Sequence, residues 1–546
     1  MSVKLEDLVG KKAKVNPDVS KAIRMELAKI KNESVGKTYN VHFTREPRML
    51  CKITADDQEA LKQIHMFATA IEDVMEYNWR MKRMLPTRKE IKYTSLFSGE
   101  VNCQLGVGQM LYQLINSGAD VIPGATAFAT ADDPTQFDNS LEDPAFNFSQ
   151  KWIDIYQNHP KPEKGKIQMS AADAICHSKF GIIGLYTGAG KTELLIGTAE
   201  SVLEAGLTEK VLIYTFANRV KEEIILRAEK YGVTIPWDLD VNSPINVINP
   251  AGLQRTNKYK KGEYAEFFKQ VNCIIADEAH HFSASGWQRL TELIDPEYIW
   301  GTTATGDSLE GVSLLVEGFK FGASSKGMAV LAYCGPSIIE HDLPVPVELT
   351  EILVEMSEDR SVIAKYQKER PEYMLGSLYL HMGSMMTAEA IKRTYNEVFG
   401  GKGITYIPMV QVEDGVQIAK NLNAIGIDTV FFSSSVVWTP VGEADGLGLD
   451  ELKELAQDLA FKVLITTSVG TEGIDIPNLD SIIPLTGKSY KSVIQTIGRS
   501  ARGDAVKVGL FFDKHNYMLN KQMKSKMETI KSRLKVISHA KVSFRK

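Results

Sequence analysis

The hydrophobic pattern of this chain changes its period part-way along. In the first part the clearest signal is helical: from Ala55 to Leu85, residues Leu61, Ile64, Ala68, Ile71 and Met75 recur three and four apart, and Pro86 forbids continuation. One long core-packing helix is expected there. Gln109–Asn116 carries a second, short helical pattern stopped by Gly118. The chain then turns acidic around Asp132-Asp133-Pro134 and Glu142-Asp143-Pro144, and Asn158-His159-Pro160-Lys161-Pro162-Glu163-Lys164-Gly165 reads as a linker closing an N-terminal domain.

Beyond that stretch, short apolar runs of the buried-strand type alternate with longer helical patterns. The runs are Gly181–Leu185, Val211–Phe216, Cys273–Ala276 and Tyr298–Gly301. After the proline-containing His341-Asp342-Leu343-Pro344-Val345-Pro346 they resume at Ile404–Ile407, Thr429–Ser433, Val463–Thr466, Ile482–Leu485 and Lys507–Phe512. Apolar runs separated by helices imply parallel sheets with crossover helices, here two α/β units in tandem.

Length and composition agree with several domains. At 546 residues the chain is too long for one core, and 44% hydrophobic with 24% charged residues is globular rather than disordered. The five cysteines are odd in number, far apart and never in CxxC, which speaks against a disulfide framework or a zinc site and fits a reducing cytoplasm. No apolar run approaches a membrane span, and the opening Met1–Asp7 has no signal-peptide core.

Charge changes the picture more. The net charge is −5, yet Lys514–Lys546 holds ten Lys/Arg against Glu528 alone, which leaves the first 513 residues at −14. An acidic body is no general polyanion binder, so contact with nucleic acid needs a local basic surface, and this tail is one candidate.

Three constellations carry chemistry. Thr187-Gly188-Ala189-Gly190-Lys191-Thr192 lies between an apolar run and a helical stretch. Glycines there let backbone N–H groups turn around phosphate oxygens, Lys191 supplies a cation, and the Thr192 hydroxyl can ligate Mg²⁺. Leu185 stands where the general phosphate-loop pattern has its first glycine. Asp277-Glu278-Ala279-His280 follows the run Cys273–Ala276, so its carboxylates emerge at the C-terminal end of a strand, where open α/β sheets bind ligands. Asp277 would hold Mg²⁺, and Glu278 would orient and deprotonate water. Third, Gln495-Thr496-Ile497-Gly498-Arg499-Ser500-Ala501-Arg502 places two arginines three apart, able to reach phosphate oxygens from one face.

Together these residues resemble superfamily two helicases of the DEAH/DExH type over about Lys166 to Asp513. Thr187–Thr192 is similar to motif I, Asp277–His280 to motif II and Thr303-Ala304-Thr305 to motif III. Thr467–Pro477, with Gly473 and Asp475, is similar to motif V, and Gln495–Arg502 to motif VI. Gln168 resembles the glutamine that reads adenine; Phe216–Arg219 and Asn249–Leu253 match the positions of motifs Ia and Ic. Thr302 and Gly306 depart from the family's Leu and Pro.

The resemblance implies two tandem RecA-like parallel-sheet domains. It gives an N-terminal α+β accessory domain that helps grip duplex (1–160), a first motor domain (161–342), a second (343–513) and a basic helical tail (514–546). ATP with Mg²⁺ would be held by Gln168, the Thr187–Thr192 loop, Gly473 and Asp475. Lys191, Asp277, Glu278, Gln495, Arg499 and Arg502 would serve hydrolysis, and His280, Thr303 and Thr305 would couple it to nucleic acid. Small size, accessory domain and tail resemble the phage UvsW-like branch, which remodels branched DNA and RNA–DNA hybrids. The expected activity is that of an ATP-driven helicase or translocase, with DNA favoured over RNA, working as a monomer beside replication or recombination proteins and away from membranes. A duplex translocase that separates no strands and a non-catalytic scaffold with a motor fold remain open alternatives.

Overall fold

The computed structural model describes residues 39–544 apart from 79–82, 117–124, 130–136, 138–142, 187, 305–324, 336, 342–345, 355–383, 410, 434, 445–446, 468–475, 486–496, 498–504 and 514–516. The chain forms two compact units, one extending to His341 and one beginning at Asp342, the loop residues Tyr186–Gly188 aside.

The first unit opens with strands β1 (Tyr39–Glu46) and β2 (Leu50–Ala55), followed by helix α1 (Gln58–Phe67). The expected long helix ends here. Ala68 caps α1 and the chain continues as β3 (Thr69–Asn78) paired antiparallel with β4 (Arg83–Lys92). Ile71, Val74, Met75 and Tyr77 are at home in a strand, and Pro86 sits within β4 opposite Met75, which a two-stranded ribbon tolerates because each strand has a free edge. Leu61 and Ile64 hold a true helical spacing, whereas Ile71 and Met75 lie four apart in a strand, a separation that a period of two also satisfies.

Strands β5 (Thr94–Phe97) and β6 (Glu100–Gln104) lead into α2 (Leu105–Asn116), the helix read from Gln109–Asn116, and then β7 (Ala125–Ala129). The sheet order is β5-β6-β2-β1-β7. Helices α3 (Gln150–Gln157) and α4 (Pro162–Cys176) follow. The stretch read as a linker is a tight turn between them: Pro162 occupies the first turn of α4, where a missing N–H costs nothing.

The second sheet consists of β8 (Phe180–Leu185), β9 (Lys210–Tyr214), β10 (Ile245–Ile248), β11 (Val271–Ala276), β12 (Tyr298–Thr303) and β13 (Ser337–His341). Its order is β10-β9-β11-β12-β8-β13 and every pairing is parallel. Helices α5 (Lys191–Glu204), α6 (Asn218–Lys230), α7 (Ser285–Ile294) and α8 (Ser325–Cys334) lie along the connections. The N-terminal sheet and this one share a single buried cluster, from Val41, Phe43 and Met110 to Phe282, Leu331 and Cys334. Gly106 of α2 lies so close to the Leu331 carbonyl that a Cβ would collide with backbone. A polar clasp adds to this: Arg45 Nη2 donates to Pro296 O (2.9 Å) and pairs with Asp295, whose Oδ1 also accepts from Met49 N.

The second unit is built on β14 (Val347–Val354), β15 (Ile404–Met409), β16 (Thr429–Phe432), β17 (Val437–Thr439), β18 (Gly442–Glu443), β19 (Val463–Thr467), β20 (Leu479–Ile482), β21 (Val506–Asp513) and β22 (Val536–Ser543). The order is β18-β17-β16-β19-β15-β20-β21-β14-β22, parallel from β16 to β22 with an antiparallel β17–β18 hairpin at the far edge. Its helices are α9 (Ser384–Arg393), α10 (Val412–Ala424), α11 (Leu449–Gln457) and α12 (Tyr517–Arg533).

Thus two tandem parallel-sheet α/β units with an N-terminal accessory sheet are present as expected. The tail differs. It begins with the helix α12, but then forms β22 and completes the sheet beside β14.

Candidate active site

Strand β8 is buried throughout, and its C-terminal end delivers the chain to the glycine-rich loop. Gly188 (φ +87°) and Gly190 (φ +91°) both adopt the left-handed region, which opens the loop before Lys191 starts α5. At Gly190 a side chain is excluded twice, since a Cβ would also strike the Gln168 amide. Gln168 itself is buried in α4 and donates from Nε2 to Gly190 O (3.1 Å). The structure therefore sets Gln168 against the phosphate-loop backbone, a bracing contact the adenine-reading assignment had not supplied. Ala189 is buried, and Thr192 is half-buried in the first turn of α5.

Three strands carry the facing wall. Asp277 follows β11, and its N–H donates to Tyr214 O at the end of β9 (2.9 Å), extending the ladder by one residue. Its Oδ1 accepts from Thr302 Oγ1 on β12 (3.3 Å). Glu278 then turns the chain with φ +53°, a strained value for a residue with a side chain and one that swings its carboxylate back over the loop. There Lys191 Nζ donates to Glu278 Oε1 at 3.0 Å, in an ion pair with little solvent access. His280 Nδ1 lies 3.3 Å from the other carboxylate oxygen.

One ammonium thus serves two neighbouring acids, and their proton affinities diverge. Burial, reinforced by the adjacent Glu278 charge, pushes the Asp277 carboxyl up to about 6, against the pull of Lys191 and Thr302. Burial also pushes Glu278 upward, but the Lys191 charge and the neighbouring His280 outweigh it and hold this carboxyl well below the usual range. While paired with Lys191, Glu278 is a poor base. Moving the ammonium onto a phosphate would remove the strongest of those downward pulls and make Glu278 better able to take a proton from water.

Thr302 is the residue that sequence reasoning missed, having been read only as a departure from the family pattern. Its position was legible in principle, because β11 and β12 run parallel and the register Ala276↔Gly301 puts Asp277 opposite Thr302. Thr303, the expected coupling residue, is buried at the end of β12. His281 was also missed: its ring stacks on Phe216 (centroids 4.6 Å, 14°) beside His280 (4.4 Å). Phe216 O accepts from Asn249 Nδ2 (3.0 Å), so the segments after β9 and β10 are tied to each other and, through His281, to the acidic sequence. Thr187, Thr305, Gly473, Asp475, Gln495, Arg499 and Arg502 lie outside the described residues.

Hard oxygen donors at Thr192 and Asp277, an ammonium at Lys191 and a glycine loop opening onto a helix suit a Mg²⁺–nucleotide. Among the described residues no helix is long and apolar enough to cross a membrane.

Residues 161–308 match the family model described as "Type III restriction enzyme, res subunit", and residues 441–504 match "Helicase conserved C-terminal domain". A curated relative, "Putative helicase 22" of Sulfolobus islandicus filamentous virus (isolate Iceland/Hveragerdi), is 25% identical over 341 residues, which is 59% of this chain. The chain spans 58% of the length of that relative. Among solved structures, UvsW of T4 aligns with 92% of this chain and 99% of its own (TM-score 0.36, 14% identity). Dbp5 of S. cerevisiae bound to RNA and ADP BeF3 aligns with 73% of this chain and 94% of its own (TM-score 0.46, 14% identity). The two family-model matches support a superfamily two helicase, with Lys191, Asp277 and Glu278 inside the first matched segment and Gln495, Arg499 and Arg502 inside the second.

Proposed function

We propose that the chain is a nucleic-acid-dependent ATPase of the DEAH/DExH type that translocates on DNA and separates its strands, in the manner of the UvsW-like branch. The observation that carries this reading is the Lys191–Glu278 ion pair, 3.0 Å long, beside the Thr302-oriented Asp277 at the C-terminal ends of adjacent parallel strands. The match to a restriction-enzyme subunit supports DNA over RNA.

The loop amides, Lys191 and Thr192 would hold the nucleotide phosphates, and Thr192 with Asp277 would hold Mg²⁺. Bound Mg²⁺–ATP supplies a phosphoanhydride and a Lewis acid. With nucleotide bound, Lys191 would exchange its carboxylate partner for phosphate, Thr302 would keep Asp277 oriented, and Glu278 Oε1, released from Lys191, would take a proton from the water whose oxygen bonds the γ-phosphorus as the bond from that phosphorus to ADP breaks. His280 stays beside the second oxygen of Glu278 and relays its position to His281 and Phe216. We assign phosphate contacts to Arg499 and Arg502, nucleotide contacts to Gly473 and Asp475, water positioning to Gln495, and coupling to His280, Thr303 and Thr305.

The test is ATP turnover by the full chain with single-stranded, duplex and forked DNA, RNA and RNA–DNA hybrid, read beside strand displacement and triplex displacement. Lys191→Ala should abolish stimulated turnover, and Glu278→Gln should bind nucleotide while turning over at least ~10²-fold slower. Arg502→Ala should lower turnover by about 10³-fold or more, with little change in nucleotide affinity. Triplex displacement without strand separation would convert the helicase reading into that of a duplex translocase. Absence of any stimulated hydrolysis, with Lys191→Ala inert, would leave a scaffold.

A further inference from the structure

The acidic body needs a local basic surface to meet a polyanion, and the structure commits part of the tail to the fold while Lys521, Lys524, Lys531 and Lys535 stay exposed. Lys526 is buried and donates from Nζ to Pro484 O (2.6 Å). His539 and Lys541 flank the largely buried Glu351 at 2.7 and 3.2 Å. These groups serve the fold.

A second basic segment lies in the first unit. Directly after the turn Pro250–Leu253 that caps the end of β10, the stretch Arg255-Thr256-Asn257-Lys258-Tyr259-Lys260-Lys261 carries four cations and no acid. It is not a loose loop. Thr256 Oγ1 caps the turn Asn257–Lys260 by accepting from Tyr259 N (3.3 Å). Tyr259 packs its ring edge-on against buried Phe268 (6.3 Å). With the tyrosine anchored inward, Arg255, Lys258, Lys260 and Lys261 are all exposed, and among the described residues none of them makes an ion pair. Four unneutralised cations on a pinned ledge leave an electrostatic need that folding does not meet.

The ledge also has a direction. It continues from Asn249, whose side chain binds Phe216 O at the end of the neighbouring strand, and exposed Arg219 follows on α6. On the other side Lys258 borders a cavity of about 530 Å³ whose wall includes Asp238, Asp240 and Glu263. A polyanion is drawn to one side and repelled at the other.

We infer that Arg255, Lys258, Lys260 and Lys261 form a docking ledge for the phosphodiester backbone of nucleic acid. It lies outside the glycine-rich loop and the acidic sequence, and bounds the nucleic-acid track at the β9–β10 edge of the first unit. The helicase reading enters only in naming nucleic acid as the polyanion. Contacts of this kind are independent of base sequence and fall with salt, each lost phosphate contact flattening the log–log salt slope by about 0.7–0.9.

The test uses the full chain and a fluorescent DNA duplex and single strand of mixed sequence, titrated at several salt concentrations. Lys260→Gln with Lys261→Gln should lower affinity at low salt and reduce the slope by about 1.5. Adding Arg255→Gln and Lys258→Gln should take the reduction to about 3. Turnover without nucleic acid should be unchanged, and Lys260→Arg with Lys261→Arg should keep the wild-type slope. Wild-type binding whose slope the glutamine variants leave unaltered would overturn the ledge and spare the helicase reading. Failure of the wild-type chain to bind either DNA would overturn both, and Lys191→Ala with wild-type binding separates this readout from hydrolysis.

Discussion

Two stretches of this protein look alike in one dimension, the basic tail Lys514–Lys546 and the basic stretch Arg255–Lys261, and the fold treats them differently: it buries Lys526 of the tail and pairs Lys541, but exposes all four cations of the second stretch. In the tail, α12 turns Leu519, Met523, Lys526 and Ile530 onto one buried face, so that a lysine occupies an apolar position. Strand β22 then pairs with β14, and Phe544 lies beneath the Arg393 guanidinium (4.1 Å). In the ledge the same residue types point to solvent because Tyr259 takes the inward position. Charge density along a chain becomes a surface field only where packing leaves it exposed.

That contrast can be broken at several points. The largest effect should come from truncation before Tyr517. If the tail were a solvated arm, the truncated chain would fold and lose salt-dependent binding. The structure instead predicts loss of folding in the second unit, because burial of Leu519, Met523, Ile530 and Leu534 is worth about 1.5–3 kcal/mol each, comparable to a whole domain's net stability. Circular dichroism and limited proteolysis would show it; a truncated chain with an intact second unit would refute the structural role.

Next in size is Lys526→Met. Burial pushes the Lys526 ammonium down to about 7 from its usual range. Between about pH 7 and 10.5 the unfolded chain therefore binds more protons than the folded one, and stability should rise with pH across that window. Below about 7 the charge is present in both states and its burial cost is borne in full. The methionine should raise the free energy of unfolding at neutral pH by at least ~1 kcal/mol and flatten the pH dependence, despite losing the bond to Pro484 O. A destabilised variant with an unchanged pH profile would contradict this.

A smaller loss, about 1 kcal/mol, is expected for Glu351→Gln, which removes the common partner of His539 and Lys541 and loosens β22. Hydrogen exchange confined to β22 and β14 would register it. Smallest is the effect of Lys260→Gln or Lys261→Gln on stability, within about 0.5 kcal/mol, since these side chains are exposed. For the ledge to differ from the tail, that near-zero stability change must accompany a lost salt slope.

Much was legible from pattern alone. Apolar runs such as Cys273–Ala276 and Val463–Thr466 became central strands because a strand buried on both faces must be continuously apolar. The glycine loop and Asp277-Glu278 were readable because their chemistry depends on neighbours in sequence. What failed shows why. Ala55–Leu85 kept one apparent helical spacing although only Gln58–Phe67 is helix and Thr69–Asn78 pairs with Arg83–Lys92, because positions four apart also share a strand face, and β22 has a sequence little different from an exposed polar segment.

What the chain's order of residues determined by itself was the alternation of strands and helices, the glycine-rich loop and the adjacent acids, since each is specified by residues within a few positions of one another. The tertiary structure decided the rest. It set Thr302 opposite Asp277, Gln168 beneath Gly190 and His281 against Phe216. It also buried Lys526 of the tail while leaving all four cations of Arg255–Lys261 exposed. These outcomes depend on strand register and on competition for buried space between distant segments, quantities that no local stretch of sequence contains.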